Sequence, residues 1–425
     1  MGALSALDDD PAATEEERYD VLCGLARAHQ LTDDLVRMRE TVHRALAVAG
    51  GDPHRELAAV GLLVNKALWQ NGSYGQVDPV VVATIRRCLD VLPAGDSVVR
   101  CRAMVGLATE IYYDSSIRER EALCEQALAM ARRLGDDRVL LDTLLAVPLG
   151  TWSPASAELR HSLTAEAVEL ARRLGDGEAL ATALALHASA ASESGRVPGL
   201  LDLVAAARSQ ATQERQLFAQ MFLDGLEVPW RAMRGEREQM QAVLADMVAM
   251  AERIGVPQAG DALLGAVLMD LVWGDRPEEL LALTDQVGQV KVMPVQASVA
   301  LMLARGGRYD EARERLGRCG PELSPDWWFS LLTLSMAAEA ALRAGVPDVA
   351  AVTYEALSPY AGRPAAGGSG TIVGLVDHFL AMAAHATGER ELATRHADDA
   401  VRLCAAWELS LAASWFAQVR EEFGF

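Results

Sequence analysis

Lysine is almost absent from this chain. Only Lys66 and Lys291 occur among 39 basic residues, so 39 less 2 leaves 37 arginines. We read that bias as the mark of a high-GC genome rather than a binding signal. Basic charge is also outweighed, with a net charge of −20. Such a surface repels nucleic-acid phosphates and anionic lipid, which argues against direct nucleic-acid binding. Aromatics are 5% of the residues, too few for an ordinary sheet protein. No apolar stretch reaches membrane-spanning length without charges, so no membrane partner is expected. The start carries Asp8-Asp9-Asp10 where a secretory signal needs a basic start and an apolar run.

Several chemical motifs are missing as well. The six cysteines, Cys23, Cys88, Cys101, Cys124, Cys319 and Cys404, form no Cys-x-x-Cys pair. Reduced core thiols in a cytoplasmic protein are the expectation. No Gly-Lys occurs, which removes the phosphate-binding P-loop. No Gly-x-Ser-x-Gly or His-Glu-x-x-His is present either. His378 and His385 stand seven residues apart with Asp377 beside the first, but no clustered third ligand accompanies them. The expectation is therefore no metal, no cofactor and no catalytic residue.

What is present is a repeat. Ala131-Arg-Arg-Leu-Gly-Asp136 returns as Ala171-Arg-Arg-Leu-Gly-Asp176, 40 residues later. Ahead of each lies an apolar stripe at helical spacing: Ala127, Met130, Ala131 and Leu134, then Ala167, Leu170, Ala171 and Leu174. Gly135 and Gly175 stand where a helix ends in a residue that tolerates positive φ. Asp136 and Asp176 follow as N-caps of a partner helix. The unit is helix, tight turn, helix. A single such hairpin cannot bury its stripe, so neighbours must stack on it.

Weaker echoes extend the pattern. Gly50-Gly-Asp-Pro53 lies about two periods before Asp136, and Ala251-Glu-Arg-Ile-Gly255 lies 80 residues after Ala171. Gly306 to Leu316 and Gly388 to Ala393 open hairpins of tetratricopeptide type. Thr14-Glu-Glu-Glu17 is a capping box for a first helix. Asn71 to Pro79, Asp114-Ser-Ser116 and Pro148 to Pro154 read as connections. Ser192 to Gly195 reads as a turn.

The fold class expected is all-α, a tetratricopeptide-like α-solenoid in a right-handed superhelix, with roughly 18 to 22 helices. Its expected parts are an acidic leader at 1–13, a helical-repeat solenoid at 14–359, a Gly-rich loop at 360–370 and further repeats of the same solenoid at 371–425. The loop, Tyr360 to Gly370, reads as a flexible hinge, with Gly367-Gly-Ser-Gly-Thr371 opening the next helix.

In a chain so poor in aromatics, the local clusters are the candidates for a ligand or partner site. These are Tyr112 and Tyr113, Trp327 and Trp328 beside Phe329, and Trp152 and Trp230, each next to a proline at a connection. The alternative for each is gap-filling between helices too far apart for Ala and Leu.

A family resemblance follows from a series of segments in order. They are Val77 to Val82, Leu92 to Ser97, Ile111-Tyr-Tyr-Asp114, Glu125 to Asp136, Val352 to Arg363 and Ala393 to Val401. From about Thr14 to Glu422 the chain resembles the C-terminal tetratricopeptide-like region of large actinobacterial signalling ATPases. These include ATP-binding LuxR-type regulators, antibiotic regulatory activators and cyclase–ATPase fusions. In them the helical region is the sensor and interaction arm, and the resemblance implies that role here. The ATPase and the helix-turn-helix or cyclase parts have no counterpart, so ATP hydrolysis and DNA binding do not carry over. The chain is either an isolated domain of such a regulator or a stand-alone descendant.

Three function classes follow. The leading one is a non-catalytic module that binds a protein partner or a small-molecule effector on a concave face, as a monomer or a homodimer. The second is a natural-product biosynthetic enzyme acting on a hydrophobic metabolite inside the superhelix, with Asp114 or Asp270 as acid or base. The third is a pure protein scaffold.

Overall fold

The computed structural model describes residues 14–32, 34–64, 67–68, 75–114, 117–254, 257–274, 276–287, 295–324, 327–368 and 370–425. The acidic leader at 1–13, the first residues of the Asn71 loop, Ser115, Ser116, Gly255 and Ser369 lie outside the described residues.

The chain is an all-α solenoid of stacked hairpins. It begins with α1 (Glu15–Leu31), α2 (Leu35–Val48), α3 (Pro53–Val64), α4 (Pro79–Val91) and α5 (Val98–Glu110). The strongest repeats give α6 (Ile117–Leu134), α7 (Asp137–Gly150), α8 (Ala157–Leu174) and α9 (Gly177–Glu193). Next come α10 (Leu200–Gln213), α11 (Leu217–Arg234), α12 (Arg237–Ala251), α13 (Pro257–Trp273) and α14 (Pro277–Val287). Then follow α15 (Gln296–Arg305), α16 (Tyr309–Leu316), α17 (Ser330–Ala344) and α18 (Pro347–Leu357). Two strands, β1 (Pro364–Gly367) and β2 (Thr371–Leu375), precede α19 (Val376–Ala386), α20 (Arg390–Ala406) and α21 (Ser410–Phe423).

The repeat behaves as its residues dictate. Gly135 and Gly175 have φ of 68° and 65°, the left-handed conformation that lets the chain reverse. Asp136 accepts from the backbone N–H groups of Arg138 and Val139, and Asp176 from that of Ala179. Thr14 and Glu17 close a reciprocal capping box. Arg102 reaches Asp142 at 2.7 Å and Arg138 reaches Asp176, ion pairs spanning 40 and 38 residues. Their arginines are half exposed, so such pairs fix register more than they stabilise.

The helices fall into two layers. Odd-numbered helices stack on one another: α3 on α5, α5 on α7, α7 on α9, α9 on α11 and α11 on α13, then α15 on α17 and α17 on α19. Most residues of α7, α9, α11, α15 and α17 are buried, on more than one face. By contrast α4 buries only Val81, Ile85 and Cys88, and α20 only Ala393, Ala397, Ala400 and Cys404. A helix buried on one stripe faces water elsewhere; a helix buried all round lines a filled interior.

Two expectations about connections are corrected. Trp230 lies inside α11, not at a connection, because Pro229 is accommodated within the helix. The missing N–H of Pro229 forfeits one helical hydrogen bond, to the Gly225 carbonyl four residues back, and the helix continues through it to Arg234. Pro148 likewise lies inside α7, so the connection there shortens to Thr151–Ser153.

The larger correction is at 360–370. Residues 364–367 and 371–375 form an antiparallel hairpin, pairing Pro364 with Leu375, Ala366 with Ile372 and Gly367 with Thr371. All nine strand residues are buried. Thr371 opens a strand, and the following helix starts at Val376. The small residues are a packing requirement. A Cβ on Gly367 would stand 2.8 Å from Leu332 and 2.9 Å from Phe329.

Candidate binding site at the centre of the superhelix

The inner helices end in a ladder of polar and aromatic side chains at the repeat period. The Tyr112 hydroxyl, just after α5, donates to the Trp152 carbonyl at 2.6 Å, 40 residues on. Trp152 Nε1 donates to Glu193 at 3.1 Å, another 41 residues on. Trp230 Nε1 donates to the Ser192 hydroxyl at 3.0 Å, 38 residues from the opposite side. Trp273, at the end of α13, donates to the Ile372 carbonyl of the hairpin at 3.1 Å. Each rung repeats because each inner helix delivers its last turn to the same side of the stack.

Charge is buried in this wall. Arg160 and Glu193 pair at 2.8 Å and are nearly inaccessible. Arg160 also stacks over Trp152, 5.0 Å from the ring centre. Arg120 lies 4.1 Å over the Tyr112 ring and donates to the Gly150 carbonyl. Among the described residues Arg120 makes no ion pair, and its Nε has no hydrogen-bond partner. Burial pushes the Tyr112 phenol well above its ordinary range, which keeps it neutral and able to donate.

The far end of the chain closes on this wall. Tyr113 meets Trp327 edge-on at 6.5 Å, and Trp327, Trp328 and Phe329 pack against one another. The backbone N–H of Trp328 donates to the Tyr112 hydroxyl, across 216 residues. Arg363, at the root of the hairpin, donates to the Pro154 carbonyl at 2.8 Å. Gly368 N–H donates to the Trp328 carbonyl at 3.3 Å. The hairpin therefore lies against α9, α11, α13 and α17 at once.

Of the six candidate residues, five come together. Tyr112, Tyr113, Trp152, Trp327 and Trp328 share one neighbourhood, with Tyr113 and Trp327 half-buried and the others buried. Trp230 sits further along the same ladder, edge-on to Trp407 at 6.1 Å. Sequence reasoning missed Arg120, Arg160, Glu193 and Trp273. The period pointed to two of them: Glu193 and Trp273 follow Trp152 and Trp230 by about one repeat.

The carboxylates named for catalysis fare differently. Asp114 is exposed, because it ends the turn after α5 outside the inner layer. Asp270 is largely buried but tied to Arg276 and to Gln241 at 2.8 Å. Asp224 on α11 is the inner carboxyl with an unusual affinity for protons, pushed up to about 6 by burial, which Arg208 at 2.7 Å only partly opposes. His378 is fully buried and packed on Phe416, with burial holding it down to about 3. All six cysteines are free, five of them buried. Among the described residues no helix is long and apolar enough to cross a membrane.

No protein-family model matches the chain, and no curated protein matches it. Among solved structures it is similar to a Rap protein complexed with competence and sporulation factor. That likeness has 10% identity and a TM-score of 0.42, covering 97% of this chain and 98% of that one. It is also similar to a circular tandem repeat protein with novel repeat topology and enhanced subunit contact surfaces. There the identity is 15% and the TM-score 0.17, covering 96% and 89%. At these identities neither likeness bears on function.

Proposed function

We propose that this chain is a non-catalytic sensor and interaction module of a bacterial regulatory system, comparable to the helical arms of the actinobacterial signalling ATPases it resembles. It binds a protein partner or a small-molecule effector on its inner face, with Tyr112, Tyr113, Trp152, Trp327 and Trp328 as the anchors and Trp230 further along. One observation supports this most. The inner layer already holds an extended polypeptide, its own hairpin at 364–375, through side-chain bonds to main-chain carbonyls (Trp273 to Ile372, Arg363 to Pro154), one main-chain bond from Gly368 to Trp328, and close apolar packing. A surface that grips one extended segment in this way is built for extended segments. The buried Arg120, stacked on Tyr112 without a carboxylate partner, is the cation an acidic group of a ligand would meet.

The test is a thermal-shift screen of the full chain against metabolites and short acidic peptides, followed by calorimetric titration of any hit. Binding raises the melting temperature, and Trp328→Ala or Arg120→Gln removes the rise. Multiple turnovers of a metabolite by the purified chain would overturn the reading. A scaffold would hold two proteins and show no ligand-induced shift.

A second reading, a recruited biosynthetic enzyme, is supported by Asp224, whose raised carboxyl suits proton transfer near neutral pH. Under that reading Asp224→Asn abolishes turnover.

A further inference from the structure

At the root of the hairpin three side chains from two helices converge. Asp377 stands in the first turn of α19, and His396 and Asp399 stand three apart on one face of α20. One donor atom from each lies within 4.8 Å of the other two. We propose that these three residues bind a divalent first-row transition-metal ion, of the zinc class, and that the ion pins the root of the hairpin.

The local geometry favours a ligand set over a simple ion pair. Asp377 Oδ1 and His396 Nδ1 are 3.5 Å apart, long for a hydrogen bond. Two ligands about 2.1 Å from a shared tetrahedral metal stand about 3.4 Å apart. His396 Nδ1 is buried and makes no hydrogen bond. A buried ring nitrogen left so is costly, and a metal ion satisfies it.

The surroundings orient each donor. The Tyr354 hydroxyl lies 3.2 Å from His396 Nε2. With Nε2 carrying the proton and donating to that oxygen, the Nδ1 lone pair is left free on the nitrogen that stands 3.5 Å from Asp377 Oδ1. Gly362 N–H donates to Asp377 Oδ2 at 2.6 Å, which leaves Oδ1 toward His396. Two carboxylates and a neutral imidazole balance a divalent charge. A nitrogen in the set favours zinc-like ions over calcium or magnesium, which take oxygens. Arg402 competes for Asp399, but it is mostly exposed and only three residues along the helix, so that pair yields readily. Asp399 is a third exposed, which leaves a side open for water to complete the coordination.

The site has a consequence for the fold. Asp377 holds Gly362 with its other oxygen, and Val376 N–H closes the hairpin root on the Arg363 carbonyl at 2.9 Å. An ion on Asp377 thus stiffens the point from which the hairpin enters the interior.

The test uses tag-free full chain stripped with chelator. Cobalt(II) is titrated and followed by its visible absorption, and zinc(II) is titrated calorimetrically. One ion per chain is expected, with a cobalt spectrum of nitrogen–oxygen ligation and a rise in melting temperature. His396→Gln and Asp399→Asn should each weaken binding at least tenfold. Asp399 lies near the surface, so its variant keeps the fold, checked by the melting temperature of the stripped protein. Micromolar zinc that fails to bind the stripped wild type, or that binds Asp399→Asn unchanged, overturns the proposal.

Discussion

The Tyr112 hydroxyl and the Trp328 backbone N–H meet at 3.3 Å, joining the fifth helix to the segment before the seventeenth. The same oxygen donates to Trp152 at 2.6 Å. One atom thus serves both a contact between adjacent repeats and the closure of the whole superhelix. Tyr112→Phe keeps the ring and its stacking on Arg120 and removes only that atom. Losing a buried, doubly used hydroxyl should lower stability by about 1–3 kcal/mol in urea or guanidinium unfolding. It should also raise the hydrogen exchange of the Trp328 amide. A loss confined to Trp152, with Trp328 unchanged, would show that the long-range contact is incidental.

The hairpin makes a sharp contrast between two glycines. A methyl at Gly367 would press on Leu332, Phe329 and Thr371 within 3 Å, whereas one at Gly95 meets nothing within 4 Å. Gly367→Ala should therefore cost about 1–3 kcal/mol through overpacking. Gly95→Ala, at an exposed turn, should change stability by about 0.5 kcal/mol or less. A flexible hinge would tolerate both equally, so matched unfolding midpoints would restore the hinge reading.

That contrast marks where the amino-acid sequence was readable. Gly135, Asp136 and their copies at Gly175 and Asp176 act locally, through φ and through caps one turn away, so their spacing exposed the repeat. Ala365, Ala366 and Gly367 act through neighbours on α17 that are distant in the chain. Their composition is that of a linker, and a strand buried on both faces shows no alternation to betray it. The ladder lies between these cases. Tyr112, Trp152, Ser192 and Trp230 follow the period, but only the stacking shows that they touch. The convergence of Asp377 with His396 and Asp399 was hidden for a similar reason: the second pair sits on a different helix.

His187 gives the chain a response to mild acid. Burial, reinforced by His161 with its ring 4.6 Å away, holds the His187 imidazole down to about 4. In the unfolded chain the same group titrates at about 6.5. Its neutral form is the one the fold accepts, so its contribution is fully present above pH 6.5. That contribution is lost as pH falls from 6.5 toward 4, where the unfolded state binds the proton first. Unfolding midpoints should therefore drop between pH 7 and pH 5, and His187→Gln should reduce that drop. An equal pH response in wild type and variant would assign the effect elsewhere.

Glu339 sets a second, more acidic limit. Its side chain is fully buried on α17, between Arg305 at 2.7 Å and Arg343 at 2.8 Å. Burial by itself raises a carboxyl, but the two guanidinium groups outweigh it and hold this one at about 2, below its ordinary 4.5. The group is depressed in the fold, so it stabilises above pH 4.5, and that contribution is lost as pH falls from 4.5 to 2. Glu339→Gln should flatten the acid limb of the stability curve in that window. At neutral pH the variant leaves the largely buried Arg305 without its counter-charge and Arg343 with only the half-exposed Glu422, a loss of about 3–5 kcal/mol. Pairing Glu339→Gln with Arg305→Met, which removes one of those cations, should recover part of the loss. Additive losses in the double variant would mean that the three charges do not act as a unit.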